Sequence, residues 1–448
     1  MDTSFTHFDE ATVKEGAAPL TGRNGLGHAP EGYRNARKAV PLRTLLDAVQ
    51  ESAALPLAQS RTLPAETYTS GEFLDWEVKH VLGAGWICLA HHSQIPHPGD
   101  FLNLDALGEP LIVVHGKDGE IRVLSRVCPH RAMDIMPPGF GYDGHGPADA
   151  RENKPGCGRT RLFLCPYHHW SFELDGSLKG CPEMHQVEGF RREETGLKAF
   201  RSEVWNGFVF VNLSGDAAPV VTQYAELGHD LAGWEMADMQ VIIEKEWECP
   251  FNWKVLVENF MEGYHHLGAH CKTLQPFLPA RDTWTEAERG HSIRVNLPYK
   301  ESYPTTNDQD FPLVPTLDAE HYRQMAVFLG QPSFLLFTAP DRVFWYRIDP
   351  ISPDRSRLLT TCLVNKTALA DPRYEEKLAA AEKMLIEFHL EDMEVCTAVQ
   401  RGFYATGYQR GRLSHLEMPI WLIQRYLAAR ARGTYPGIDR ASAPAQRG

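Results

Sequence analysis

At 448 residues, with 43% hydrophobic and 23% charged side chains, the chain is long enough for two or three domains with sizeable cores. Its formal net charge of −13 argues against nucleic acid as a partner, because phosphate contacts need clustered Lys and Arg, and against an anionic membrane surface. No apolar run approaches the roughly 18 residues of a transmembrane helix.

The start, MDTSFTHFDEAT, has no basic n-region, apolar core or twin-arginine pair, so no targeting segment is read there. Nine scattered cysteines suggest no disulfide framework, and a reducing cytoplasm is the expected location. Residues 1–40 are rich in Gly, Pro, Ala and charge and read as a loosely packed arm. Leu42, Leu45, Leu46 and Val49 at helical spacing predict a helix within 41–60. Ser70 is a plausible N-cap for a second helix to Leu82, whose apolar face opens with Phe73 and Leu74. Residues 1–69 thus form an arm and a helix ahead of the first domain.

From Gly85 to about Phe210, short apolar runs (WICLA, PLIVVHG, IRVLSRV, RLFLCPY, WNGFVFVNL) alternate with Asp-Gly turns such as KDGE and LDGS. That pattern predicts a small antiparallel β domain, assigned to residues 70–212. Within it lie two matched pairs, Cys128-Pro129-His130 and Cys165-Pro166-Tyr167-His168. Each supplies a thiolate and an imidazole at the end of a β run, and each proline favours extended backbone before it. A Rieske-type [2Fe–2S] centre needs two Cys on one iron and two His on the other, which these loops provide. The same donors suit tetrahedral zinc, but zinc sites usually pair Cys with Cys and His with His. His169 is read as a neighbour of the second pair. Residues 137–161, rich in Gly, Pro and charge, read as a surface insertion containing His145 and Cys157.

Residues 211–240 read as a linker and a short helix, and QVIIEKEWEC as a strand ending at Pro250. The next stretch, NWKVLVENFMEGYHHLGAH over 252–270, gathers Glu258, Glu262, His265, His266 and His270. Two imidazoles and one carboxylate are the ligand set of a mononuclear non-haem ferrous site with open positions for O2. Helical spacing by itself favours His266 with His270, because a gap of five residues turns about 140° on an ideal helix. Gly263 and Gly268 offer places for the helix to end or distort.

Runs such as SFLLFTA, RVFWYRI and RLLTTCLV within 330–367 predict an antiparallel sheet, where Phe334, Phe344, Trp345 and Tyr346 are either core or pocket. A long helix follows Asp371-Pro372 to about Phe403 and carries Glu391, Asp392 and Glu394 as carboxylate candidates. MPIWLIQRYLAARA predicts a last helix packed on the sheet, and residues 436–448 a frayed tail.

CPHR at 128–131 and CPYHHWSFELDG at 165–176 resemble the cluster loops of Rieske non-haem iron oxygenase large (α) subunits. The run Asn252-Trp253-Lys254, Glu258-Asn259, Glu262-Gly263-Tyr264-His265 and His270 resembles their iron-binding helix, and EDMEVCTAVQ the helix that delivers the iron carboxylate. The family's two cluster loops usually lie closer together in sequence, which marks the insertion as a departure. The resemblance covers about residues 70–430. It implies an α+β fold, with a Rieske antiparallel β domain followed by a catalytic domain at 213–435 whose antiparallel sheet grips long helices (helix-grip, START-like).

For the sites, the resemblance implies Cys128, His130, Cys165 and His168 as cluster ligands and His265, His270 and Asp392 as ligands of a mononuclear Fe(II). It also implies that Glu262 bridges His168 of one subunit to His265 of the next, in a head-to-tail homotrimer that in some members includes a small β subunit. The implied function is the terminal oxygenase of a multicomponent system. It takes O2, and electrons from NAD(P)H through a separate reductase or ferredoxin, to oxidise a small organic substrate. Aromatic hydrocarbon catabolism, monooxygenation, and N- or O-demethylation all occur among such proteins. ENFMEGYH looks somewhat like the choline and glycine-betaine monooxygenase branch. A Rieske electron carrier without oxygenase activity is the alternative, but it leaves the C-terminal half unexplained.

Overall fold

The computed structural model describes residues 39–136, 157–286, 290–304 and 310–435. The expected N-terminal arm, most of the expected insertion (137–156) and the expected tail lie outside the described residues. Two helices lead in. Helix α1 (Leu42–Ala54) buries Leu45 and Val49. Helix α2 (Gly71–Glu77) is capped by the Ser70 hydroxyl, which accepts the Phe73 N–H at 3.3 Å.

The first sheet is antiparallel. Its strands are β1 (Ile87–His91), β2 (Asp100–Ala106), β3 (Glu109–His115), β4 (Ile121–Ser125) and β5 (Cys157–Arg159). A separate three-stranded sheet holds β6 (Phe163–Leu164), β7 (Ser171–Phe172) and β8 (Leu178–Gly180). Strands β9 (Ala199–Trp205) and β10 (Phe208–Asn212) return to the first sheet, whose order is β1-β10-β9-β4-β3-β2-β5. The β9–β10 hairpin turns on Asn206 and Gly207, both at positive φ (49° and 81°), the conformation that a two-residue Asn-Gly turn favours. A side chain at Gly207 would also strike His91 and Ala237. Residues 157–159, within the span read as an insertion, form an edge strand beside β2.

The 211–240 stretch is more than a linker. Helices α3 (Val220–Gln223) and α4 (Ala225–Leu231) bury Val220, Tyr224, Leu227 and Leu231, which recur at helical spacing, between the two domains. Strand β11 (Met239–Cys249) then opens the second sheet, and α5 (Trp253–Phe260) follows it. Next come β12 (Trp284–Thr285), β13 (Ser292–Pro298), β14 (Gln324–Gly330), β15 (Phe334–Thr338), β16 (Arg342–Ser352) and β17 (Arg355–Asn365). These seven strands are antiparallel in the order β11-β17-β16-β15-β14-β13-β12. Helices α6 (Tyr374–Tyr404) and α7 (Met418–Ala431) complete the chain.

This sheet is covered on both faces, so its strands read as nearly continuous apolar runs. One parity (Val327, Leu329, Phe337, Phe344, Tyr346) packs against α5 and α6 through Leu256, Leu385 and Phe388. The other (Phe328, Leu336, Val343, Trp345) packs against Trp86, Phe208 and Phe210 of the first domain and Trp234 of the segment between the domains. The sequence pattern places helix α7 on the sheet. It packs chiefly on α1 and touches the sheet at β13, because its apolar face meets the Leu45–Val49 stripe. No helix among the described residues is long and apolar enough to cross a membrane.

Candidate metal centres

The two Cys–Pro loops are twins in backbone conformation. In the first, Cys128 N–H donates to Met133 C=O at 2.8 Å and Ala132 N–H to Cys128 C=O at 3.0 Å. In the second, Cys165 N–H donates to Trp170 C=O at 2.7 Å and His169 N–H to Cys165 C=O at 3.0 Å. Each loop turns on the fourth residue after its cysteine, Ala132 at φ 55° and His169 at φ 57°. His169 is exposed and supplies that turn, which separates it from His168.

The loops bring four donors together. Cys128 and Cys165 are buried and their thiols face each other. The His130 and His168 rings stand 4.7 Å apart at 72°, and His130 stacks flat on Trp170 at 4.6 Å. Nδ1 of His168 is buried without any hydrogen-bond partner among the described residues. A buried imidazole nitrogen with no partner is costly unless something else binds it. Two thiols and two imidazoles, one of them with this orphaned nitrogen, fit the donor set of a Rieske cluster.

The second centre begins at Asn252, whose side chain accepts the Lys254 N–H at 3.0 Å and starts α5. The helix ends at Phe260 and does not reach the histidines. Gly263 lets the chain pass Thr283, whose methyl would lie 2.8 Å from an added Cβ. Tyr264–Leu267 then form one 3₁₀ turn. The ideal-helix argument for His266 therefore does not apply, since no single helix carries these residues.

Asp392, on α6, closes the group. Its Oδ1 lies 2.9 Å from His270 Nε2 and 3.6 Å from His265 Nε2. One donor atom from each of the three residues falls within 4.8 Å of the others. Burial works against charge on His270, but hydrogen bonds and attraction from Asp392 and Glu391 outweigh it and hold its pKa above the ordinary value. His266 turns away: its Nδ1–H donates to Leu278 C=O at 2.9 Å, and burial pulls its pKa down to about 4. Glu391 reaches the far nitrogen of His270, Nδ1, at 2.7 Å, and Glu394 is exposed. Glu262 holds His265 in the same way, Oε1 to Nδ1 at 2.8 Å. Two imidazoles and a carboxylate converging on one side suit ferrous iron with positions left open.

A cavity adjoins this centre. Phe260, Phe337, Tyr346 and Phe388 line it together with His265 and Asp392. Of the four strand aromatics singled out in the sequence, Tyr346 lines it, while Phe334, Phe344 and Trp345 are core. The other wall residues carry no local signal, because they come from α5, β15 and α6 and share the periodicity of the core. A second cavity, beside Arg281, Tyr299 and Lys300, holds none of the candidate ligands.

Comparison with known proteins agrees with this layout. Residues 85–191 match the Rieske [2Fe-2S] domain, and residues 236–433 match the ring hydroxylating alpha subunit (catalytic domain). The carnitine monooxygenase oxygenase subunit of Acinetobacter pittii is 28% identical over 360 residues, spanning 79% of this chain and 88% of that protein. A quaternary ammonium Rieske monooxygenase solved with L-carnitine superposes with a TM-score of 0.70 at 23% identity, covering 85% of this chain and 98% of that one. Naphthalene 1,2-dioxygenase from a Rhodococcus species, bound to indole, superposes with a TM-score of 0.70 at 19% identity, covering 88% and 98%.

Proposed function

This chain belongs to the Rieske non-haem iron oxygenases as a terminal-component α subunit with a [2Fe–2S] cluster and a mononuclear iron, and from that premise we propose that it oxidises a quaternary ammonium compound. Cys128, His130, Cys165 and His168 hold the cluster in this reading, and His265, His270 and Asp392 hold the iron. When bound, the two groups supply single-electron transfer and reductive activation of O2. The chain's residues bind the substrate, orient it and fix the ligand imidazoles.

The observation that carries the substrate class is the cavity wall. Phe260 and Tyr346 stand 4.9 Å apart, tilted by 52°, with Phe337 and Phe388 nearby and the carboxylates of Glu262 and Asp392 on the metal side. Four aromatic side chains around one cavity favour a permanent cation with an apolar rim, as a trimethylammonium group is. The relatives named for carnitine support the same class. The reaction is hydroxylation of a C–H bond next to the ammonium nitrogen. One oxygen atom of O2 enters that bond, and the other leaves as water with two electrons and two protons. The carbon–nitrogen bond then breaks to give an aldehyde and a smaller amine. NAD(P)H supplies the electrons through a separate reductase or ferredoxin, with the chain in a cytoplasmic head-to-tail trimer in which Glu262 bridges neighbouring subunits.

Aromatic-ring oxygenation is the second reading, favoured by the apolar character of the same wall. The deciding experiment mixes the purified chain with a surrogate reductase, NADH and ferrous iron. It offers quaternary ammonium compounds, neutral isosteres with tert-butyl in place of trimethylammonium, and neutral aromatics. O2 uptake matched by aldehyde with the cations supports the first reading. Uptake with a diol product from the aromatics and none with the cations overturns it.

A further inference from the structure

We propose that Glu391 is a positioning residue that makes His270 a stronger metal donor, through a carboxylate–imidazole pair that Thr273 locks in place. This rests on the assignment of His270 as an iron ligand. One oxygen of Glu391, Oε2, accepts two hydrogen bonds: from His270 Nδ1–H at 2.7 Å and from the Thr273 hydroxyl at 2.6 Å. Thr273 belongs to the loop after His270, and Glu391 to the long helix α6. The three residues therefore tie a loop without regular helix or strand structure to a rigid element, at the imidazole itself.

The geometry around the ring is specific. Successive residues of a helix point about 100° apart. Glu391 and Asp392 are successive, and they straddle the His270 imidazole, Glu391 at Nδ1 and Asp392 at Nε2, 2.9 Å away. The acceptor at Nδ1 fixes the proton on that nitrogen and leaves Nε2 to face the space shared with His265 and Asp392. A carboxylate behind a ligand imidazole also raises its basicity, more than a neutral acceptor does.

The neighbouring histidines supply the contrast. His265 has Glu262 on its Nδ1 at 2.8 Å. His266, which lies outside the three-residue group, has only the neutral Leu278 carbonyl on its Nδ1. Carboxylates thus stand behind the two imidazoles that converge on Asp392 and not behind the third. Glu391 is only one-third exposed and its near oxygen is fully engaged, unlike the exposed Glu394 on the same helix.

The test uses the full chain with its cluster intact, stripped of mononuclear iron and titrated anaerobically with Fe(II) against a competing chelator. Glu391→Gln keeps an acceptor for Nδ1–H but removes the charge. Its Fe(II) affinity should fall about 10- to 100-fold, while the electron paramagnetic signature of the nitric oxide adduct keeps its shape. Glu391→Ala loses acceptor and charge together and should lower affinity further and change that signature. Thr273→Val, which leaves the carboxylate but not its lock, should give a smaller loss and guards against an Ala variant that does not fold. Fe(II) affinity within twofold of the parent in Glu391→Gln and Thr273→Val alike would overturn the proposal. His270→Ala separates the two failures. If it loses iron while Glu391→Gln does not, the ligand assignment stands and the positioning role falls; if it retains iron, the ligand assignment itself falls.

Discussion

Glu262 and His265 are joined on two sides: Oε1 of Glu262 lies 2.8 Å from His265 Nδ1, and Oε2 accepts the His265 backbone N–H at 3.0 Å. The Tyr264 N–H also donates to Oε2. The acid is therefore fixed by the turn that carries the candidate ligand, at the end of the segment where α5 has stopped. Such a carboxylate orients the imidazole and leaves lone pairs for a donor from another subunit.

From this follows the behaviour of Glu262→Gln. The amide keeps an acceptor for His265 but loses the charge that would couple it to His168 of a neighbour. As for Glu391 behind His270, loss of the charge should weaken Fe(II) binding at His265 as well; with iron supplied in excess both metals stay bound, and turnover should still slow by about 10- to 100-fold. Iron content, the visible spectrum of the cluster and the rate at which a pre-reduced cluster delivers electrons in a single turnover are the measurements. Parent-like turnover in metal-replete protein would remove the bridging role.

Beneath α5 lies a fully buried ion pair. Lys254 Nζ is 2.9 Å from the Glu77 carboxylate and 2.9 Å from Asn252 Oδ1, and Trp253 Nε1–H donates to Glu77 at 3.1 Å. Both charged side chains are inaccessible to solvent. Removing one partner leaves the other charge buried and uncompensated. Lys254→Met is expected to destabilise the chain by about 3–5 kcal/mol, read as a lower denaturant midpoint. Adding Glu77→Gln should recover most of the loss, because it removes the orphaned charge. A single variant as stable as the parent would show that removing Lys254 leaves no uncompensated charge on Glu77.

Glu258 gives a pH dependence whose sign can be worked out. Burial pushes its carboxyl up to about 7 from an ordinary 4.5, opposed by the Tyr68 hydroxyl at 2.7 Å and by Lys254, and aided by Glu77 and Glu417. Between about pH 4.5 and 7 the folded chain holds this proton and the unfolded chain does not. Stability from this group is fully present below 4.5 and is lost as pH rises through 7, by roughly 2–4 kcal/mol. Glu258→Gln lacks the effect. Its unfolding temperature relative to the parent should climb from pH 5 to pH 8, and a difference that stays flat would place the carboxyl's titration elsewhere.

How much of this is legible in the sequence differs from residue to residue. The cluster loops are legible because thiolates and imidazoles must recur at short fixed spacing, and CPH and CPYH show them directly. His265 is legible from the family pattern but not from helical geometry, since α5 ends at Phe260 and the chain then passes close to Thr283 at Gly263, neither of which the spacing shows. Asp392 stands beside two other acids on one helix; the family pattern singles it out, whereas local spacing does not, since Glu391 and Asp392 both reach His270 and Asp392 also faces His265. The substrate wall is the least legible. Strand parity places Tyr346 and Phe344 on the same face, and only Tyr346 reaches the cavity.

That wall yields the last prediction. A cation held over aromatic faces gains about 0.5–2 kcal/mol, which corresponds to a change of about 2- to 30-fold in affinity. Phe337 and Tyr346 line the cavity from adjacent strands, and Phe260 and Phe388 line it from helices. Tyr346→Leu and Phe337→Leu keep the wall apolar but remove its quadrupole. With a quaternary ammonium substrate, each should raise KM by that factor. With the neutral tert-butyl isostere, whose binding depends on shape and apolar contact, KM should move much less. A loss equal for both would mean that the wall supplies only hydrophobic contact, and would favour the aromatic-ring reading of the site over the cationic one.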